Sequence, residues 1–94
     1  MTDFADLEAT VRAQLNRMQQ LSDDLAAIRV AHATDDDTIT VVVDGTARIL
    51  DIQLSEGISR MSPVDFGQAV VVAAAAAAQQ ALALRGRLIE EFNN

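Results

Sequence analysis

The 94-residue chain has no cysteine, tryptophan, tyrosine or lysine, and it has a single histidine, His32. Without cysteine it can form no disulfide, thiolate metal site or thiol nucleophile. A metal site would need further histidine or cysteine ligands, and the sequence has none besides His32. We therefore expect His32 to be an ordinary strand or turn residue. Glycine-rich phosphate loops and a glycine-flanked nucleophile are also missing. The sequence therefore predicts a protein that is not an enzyme and that holds no metal or cofactor.

Positive charge is scarce in this chain. Seven arginines face fourteen acidic residues, which leaves a net charge of −7. Such a balance opposes general attraction to nucleic acid, so any DNA contact requires a local cluster of arginines. The acidic run Asp35-Asp36-Asp37 lacks the alternating ligands, glycine and distal glutamate of a calcium loop. We interpret it as a turn between strands.

The length predicts one domain over residues 1–94, and the content of alanine and valine predicts a small core that oligomerisation would stabilise. The chain opens with acidic residues instead of a basic and apolar signal, so we expect a cytoplasmic protein. Residues 66–84 carry no charge, but this segment contains three glutamines and much alanine. We therefore expect a buried helix there, and no membrane contact.

Apolar residues near the N-terminus follow the heptad spacing of a coiled-coil seam. We expect a helix that begins near Thr2 or Asp3, ends near Ile28, and is about 39 Å long. Gln14 occupies one seam position, either as a buried polar residue that sets the alignment, or as a point where the seam opens or where Leu15 takes over. The stripe packs against a later helix of the chain or against another chain. Its apolar residues are Phe4, Leu7, Val11, Met18, Leu21, Leu25 and Ile28.

The middle of the chain alternates apolar and polar residues, as half-buried strands do. Residues 38–43 and 48–54 predict two antiparallel strands, and residues 30–34 predict a weaker third. Asp44-Gly45 predicts a tight hairpin turn with positive φ angles. Ser62 and Pro63 predict the cap and first position of a second, alanine-rich helix that ends near Phe92. The fold class is therefore α+β, in the order α-β-β-β-α.

These segments resemble the YbaB/EbfC family of bacterial nucleoid-associated proteins over nearly the whole chain. The resemblance lies in the run Thr38-Ile-Thr-Val-Val-Val-Asp-Gly45, in Arg48-Ile-Leu-Asp-Ile52, and in the alanine-rich helix that follows a short loop. The first helix is rich in glutamine and methionine, as in that family. Gly45 matches the glycine that ends the middle strand, and Leu50-Asp51-Ile52 matches the V/I-x-I pattern of the third.

The resemblance implies a homodimer whose long helices project like tweezers and which binds duplex DNA without catalysis. The family's DNA contacts are basic and polar side chains on the two helices. In this sequence the matching residues are Arg12, Arg17, Arg29, Arg85 and Arg87. Favourable charge at helix C-termini explains the last three without DNA, and both interpretations stay open. The alternative function is a protein-interaction adaptor on the same fold, binding a helical partner, since relatives of the family accompany secretion systems.

Overall fold

A computed structural model describes residues 3–94. Two long helices flank a three-stranded sheet, which confirms the predicted order α-β-β-β-α. The helices are α1, Phe4–Ala26, and α2, Pro63–Asn93; the strands are β1, Arg29–Ala33, β2, Ile39–Asp44, and β3, Ile49–Leu54. A short 3₁₀ helix, Glu56–Arg60, connects β3 to α2 in the segment that we expected to be a loop. The predicted helix start at Thr2 lies outside the described residues.

The sheet is an antiparallel meander with β2 in its centre. Ile39, Val41 and Val43 of β2 are fully buried on one face. Helix α2 lies on that face and contributes Ala73, Ala77 and Ala81, whose spacing of four places them along one side of the helix. Alanine side chains are small, so the helix backbone can approach the strands closely. The core is therefore a layer of branched side chains against a layer of methyl groups.

Helix α2 covers β1 and β2 but not β3. Ile52 pairs with Val41 and Leu54 pairs with Ile39, so both β3 side chains lie on the sheet face that α2 occupies. Every residue of β3 is nevertheless exposed. The side chains of β3 alternate between the two faces of the sheet, as predicted. Within the described chain, however, neither face of this strand is buried.

The apolar stripe of α1 enters the core only at the C-terminal end of the helix. Ile28 is 4% exposed and belongs to the core, whereas Phe4 is 78% and Met18 is 56% exposed. Leu21 and Leu25 are half-buried between these extremes. The helix ends at Ala26, before the predicted Ile28, because the chain there turns into β1. Packing of the exposed part of the stripe remains a prediction.

The β2–β3 turn corrects one prediction. Gly45 does not have a positive φ; instead Ala47 has φ 66°. The Asp44 side chain accepts hydrogen bonds from the backbone N–H groups of Thr46 at 2.9 Å and Arg48 at 3.0 Å. Ala47 N–H also donates to the Asp44 carbonyl, at 3.0 Å. The Asp44 N–H donates to the Arg48 carbonyl at 3.0 Å, and the loop that this bond closes contains three residues, 45–47. They form a turn followed by one left-handed residue, two positions later than expected.

Gly45 is required for a different reason, the close approach of α1. A Cβ atom at this position would lie 3.1 Å from the Leu25 carbonyl oxygen and 3.1 Å from Ile28 Cδ1. Those distances are shorter than ordinary van der Waals contact. The glycine therefore lets the end of α1 rest directly on the hairpin.

Helix α2 begins as the sequence predicts. Ser62 Oγ accepts a hydrogen bond from Asp65 N–H at 3.1 Å, and Pro63 occupies the first turn. The helix continues past Gly86 to Asn93. Its length and apolar composition would suffice to cross a membrane, a property that it shares with core helices of soluble proteins. Its buried alanines lie against the sheet.

Candidate functional site

The acidic run and the histidine have structural partners. Asp36 Oδ1 accepts hydrogen bonds from the hydroxyls of Thr38 at 2.7 Å and Thr34 at 2.8 Å. These bonds hold the pKa of the Asp36 carboxyl below its usual range. His32 lies in β1 with its Nδ1 2.9 Å from Gln80 Nε2 of α2. Within residues 3–94, no group of three or more histidines and acids is placed to hold a metal ion.

The two arginines of α1 are both engaged by neighbours. Arg12 Nη2 forms an ion pair with Glu8 Oε1 at 3.0 Å, one helical turn away. Both side chains are exposed, so this pair contributes little to stability. Another anion can therefore replace Glu8 as the partner of Arg12. Arg17 Nη2 donates to the Phe92 carbonyl at 2.9 Å, and its guanidinium lies 5.0 Å from the centre of the Phe92 ring. Arg17 therefore ties α1 to the last turn of α2.

Three further arginines lie near the C-terminal end of α1. Arg29, Arg48 and Arg85 line one cavity of about 220 Å³ between the end of α1, the β2–β3 turn and α2. Asp44 is the only acidic residue in its wall, and the remaining lining is apolar or uncharged. The cavity wall thus has a charge of about +2, in a chain whose net charge is −7.

Each wall arginine is held by a different part of the chain. Arg29 Nη1 donates to the carbonyls of Ile28 at 2.7 Å and Ala26 at 3.1 Å, so it caps the end of α1. Arg48 Nε lies 3.6 Å from Asp44 Oδ2. Arg85 is half-buried on α2 and makes no ion pair within the described residues. Each of the three guanidinium groups keeps N–H donors that no hydrogen bond or ion pair within the described residues uses.

Asp44 is ionised in this setting. Its carboxylate accepts from Thr46 and from the Arg48 backbone N–H, and these bonds, together with the positive charge of Arg48, lower its pKa. One oxygen, Oδ1, serves the turn, and Oδ2 faces the Arg48 side chain. The only carboxylate in the cavity wall is therefore already hydrogen-bonded to the backbone of the turn.

The structure groups the predicted arginines unevenly. It brings Arg29 and Arg85 together, and it places Arg12 and Arg17 on α1 outside that cavity. Arg87 is exposed and lies two residues from Arg85, about 200° away around the helix, so it points away from the cavity.

Arg48 is the functional candidate that the sequence did not single out. Its signal was present, because antiparallel pairing of β1 with β2 sets Arg29 opposite Asp44. A hairpin turn that begins at Asp44 then returns Arg48 to the same place. Arg85 reaches the cavity only through the packing of α2 in the tertiary structure, and no local sequence pattern predicts this position.

Comparison with known proteins identifies a sequence family and a structure of similar fold. Residues 1–92 match the profile of a family described as the YbaB/EbfC DNA-binding family. No curated relative matches the sequence significantly. The crystal structure of an uncharacterized protein from Helicobacter pylori superposes with a TM-score of 0.72 and 13% sequence identity, covering 100% of both chains. At that identity the similarity shows a shared fold and nothing about ligands.

Proposed function

The chain belongs to the YbaB/EbfC DNA-binding family, and we propose on that premise that it is a non-enzymatic, homodimeric protein of the bacterial nucleoid. It forms a single domain of this family over residues 1–94, and it works in the cytoplasm without a cofactor. It binds duplex DNA through arginines, chiefly by contact with backbone phosphates. Such contacts position a protein on DNA without reading its sequence.

The convergence of Arg29 and Arg85 is the observation that carries this proposal. An acidic chain approaches DNA only where its cations are concentrated, because each phosphate contact gains affinity by releasing counterions. These two residues are 56 positions apart in the sequence, yet they line one cavity. Arg87 and Arg12 provide further phosphate contacts outside the cavity, on α2 and α1, and Arg17 joins them when DNA replaces Phe92 as its partner.

Exposed apolar surface supports the homodimer. Strand β3 is a sheet edge with uncovered Ile52 and Leu54, and edges of this kind pair with other chains unless they are protected. An apolar groove on α2 is lined by Val64, Val71 and Val72. A second copy that covers these surfaces would remove their apolar side chains from water.

DNA binding is tested by fluorescence anisotropy of a labelled duplex titrated with protein at about 50 and 200 mM salt. We expect binding that weakens with salt. Replacing Arg85 and Arg87 together by alanine should reduce the affinity at about 100 mM salt by about 5- to 10-fold for each phosphate that the variant no longer neutralises. Arg60→Ala, which removes the same kind of charge from the 3₁₀ helix, is the control. The absence of salt-sensitive binding by wild-type protein at micromolar concentration would refute the proposal.

The exposed half of the α1 stripe favours the adaptor as the second candidate function. Phe4, Leu7 and Val11 are each more than half exposed, and their heptad spacing suits a helical partner. Affinity purification from the native host, with and without nuclease treatment, separates the two functions. A stoichiometric protein that survives nuclease and is absent with Leu7→Asp supports the adaptor. Recovery of nucleic acid alone supports DNA binding.

A further inference from the structure

The cavity lined by Arg29, Arg48 and Arg85 has the chemistry of an anion site. Guanidinium groups are planar, always charged, and able to donate two parallel hydrogen bonds to a phosphate or carboxylate. Three of the seven arginines of the chain meet here. Three other cavities in residues 3–94, on α1 and α2 and beside β1, have at most one arginine in their walls.

The wall is also partly prepared for an anion before one arrives. Arg29 is fixed by two carbonyls, at 2.7 and 3.1 Å, through its Nη1 alone, which leaves Nη2 and Nε free. Arg48 approaches Asp44 through Nε at 3.6 Å, so both of its terminal nitrogens are free, and its side chain is 75% exposed. Because the position of the Arg29 guanidinium is already restricted, this group loses less freedom when it binds an anion.

We propose that this cavity binds one phosphate group of the DNA backbone, with Arg48 as a third cation supplied by the sheet and not by the helices. This assignment rests on the proposed DNA binding and adds a residue and a position to it. The phosphate lies between the end of α1 and α2 and accepts hydrogen bonds from the three guanidinium groups. The site thereby fixes where the duplex crosses the hairpin end of the molecule.

A phosphate fits this wall better than a protein carboxylate for two reasons. Its oxygens are arranged tetrahedrally and accept donors from several directions, whereas the acceptor sites of a carboxylate lie close to one plane. The wall already contains one carboxylate, Asp44, and after pairing with it a charge of about +2 remains from the three arginines. A backbone phosphate carries one negative charge, so this surplus neutralises it and leaves about one positive charge facing the neighbouring phosphates of the strand.

The first experiment compares Arg48→Gln with Arg60→Gln in DNA titrations over a range of salt concentrations. Both variants remove one positive charge, but Arg60 lies at the other end of β3 and outside the cavity. We expect Arg48→Gln to lower the affinity about 5- to 10-fold at about 100 mM salt and to reduce the salt slope by about 1 for each occupied cavity. Arg60→Gln should change the affinity less than about 2-fold. Equal effects of the two variants would overturn the phosphate site and leave DNA binding itself intact.

The second experiment needs no DNA and so separates failure of the site from failure of the function. Inorganic phosphate is titrated into the full chain, with chloride at matched ionic strength as the control, while NMR follows the arginine Nε–H signals. Saturable shifts confined to Arg29, Arg48 and Arg85 support the site. Uniform shifts of all the arginines overturn it. Dissociation of the dimer in Arg48→Gln, seen by sedimentation, would likewise overturn it by showing that the cavity holds a partner's carboxylate.

Discussion

At the scale of single residues, Asp44 connects the hairpin to the cationic cavity. Its Oδ1 closes the turn through three hydrogen bonds, from Thr46 N–H, Thr46 hydroxyl and Arg48 N–H, between 2.8 and 3.0 Å. Its Oδ2 lies 3.6 Å from Arg48 Nε. One carboxylate thus sets the backbone of the turn and places a negative charge beside the side chain that follows it. Asp36 performs the first of these tasks in the β1–β2 turn.

The stability of the protein should fall in acid because of these two carboxylates. Hydrogen bonds hold the pKa of Asp44 and of Asp36 below its value in the unfolded chain. Their stabilisation is therefore complete above the unfolded pKa, near about 4, and is lost as the pH falls through the folded pKa. Urea unfolding followed by circular dichroism between about pH 2 and about pH 6, at one protein concentration, measures this dependence.

Asp44→Asn isolates the contribution of one carboxylate. Asparagine keeps the acceptor oxygen that the turn needs, but it cannot ionise. We expect the decline of unfolding free energy in acid to become shallower in this variant. Asp35→Asn, in the neighbouring acidic turn, is the matched control and should leave the slope closer to that of wild type. An Asp44→Asn slope as steep as the wild-type slope would show that the turn carboxylate does not stabilise the fold through its charge.

At the scale of elements, two contacts fix α1 relative to the rest of the chain. The end of the helix rests on Gly45 of the hairpin. Farther along, Arg17 stacks on Phe92 and binds its carbonyl, so the final turn of α2 is held beside the middle of α1. Cation–π contacts at exposed sites contribute about 0.5–1 kcal/mol, so this second contact can open. The projecting part of α1 has no such support within the described chain.

A pair of glycine substitutions tests the contact between α1 and the hairpin. Gly45→Ala places a methyl group 3.1 Å from a backbone oxygen of α1, and we expect it to lower the unfolding free energy by about 1–3 kcal/mol. Gly86→Ala lies within α2 with nothing inside 4 Å, and it should raise the unfolding free energy by about 0.5–1 kcal/mol through helix propensity. Chemical denaturation measures both. Equal effects of the two would contradict a steric role for Gly45.

At the scale of the whole molecule, the chain is extended and incomplete in its packing. It measures 72 × 18 × 16 Å, with a radius of gyration of 20.0 Å, against about 12–13 Å for a compact chain of this length. Within residues 3–94, seven hydrophobic residues are buried, and three of them are alanines. So small a core is marginal alone. We infer that association with a second copy supplies the missing burial.

Strand β3 is the surface on which dimerisation is most directly tested. Ile52 is 40% exposed on the sheet face beyond α2, and neighbouring Gln53 points to the opposite face. Ile52→Asp should weaken the dimer at least about 30-fold, because it would bury an unpaired charge at the interface. Gln53→Asp adds the same charge and should leave the dimer intact. Sedimentation at micromolar protein measures this, and dimers of equal stability in the two variants would exclude this face.

The sequence by itself determined which segments are helices and strands, because those signals are local. Alternation predicted the strands, the Ser62-Pro63 pair predicted the start of α2, and the run of alanines predicted a helix that lies close to its neighbour. It also sufficed to predict the family. Periodicity and capping act within a few residues, so they are visible without knowledge of the rest of the chain.

Only the tertiary structure decided how those elements use their side chains. The left-handed residue of the turn is Ala47 and not Gly45, and Gly45 instead accommodates the close approach of α1. Three arginines far apart in the sequence form one cavity because α1, the hairpin and α2 meet there. The heptad stripe is buried at Ile28 and bare at Phe4 because the sheet lies at only one end of the helix. Contacts between distant segments carry no local signal, and the cationic site depends on them.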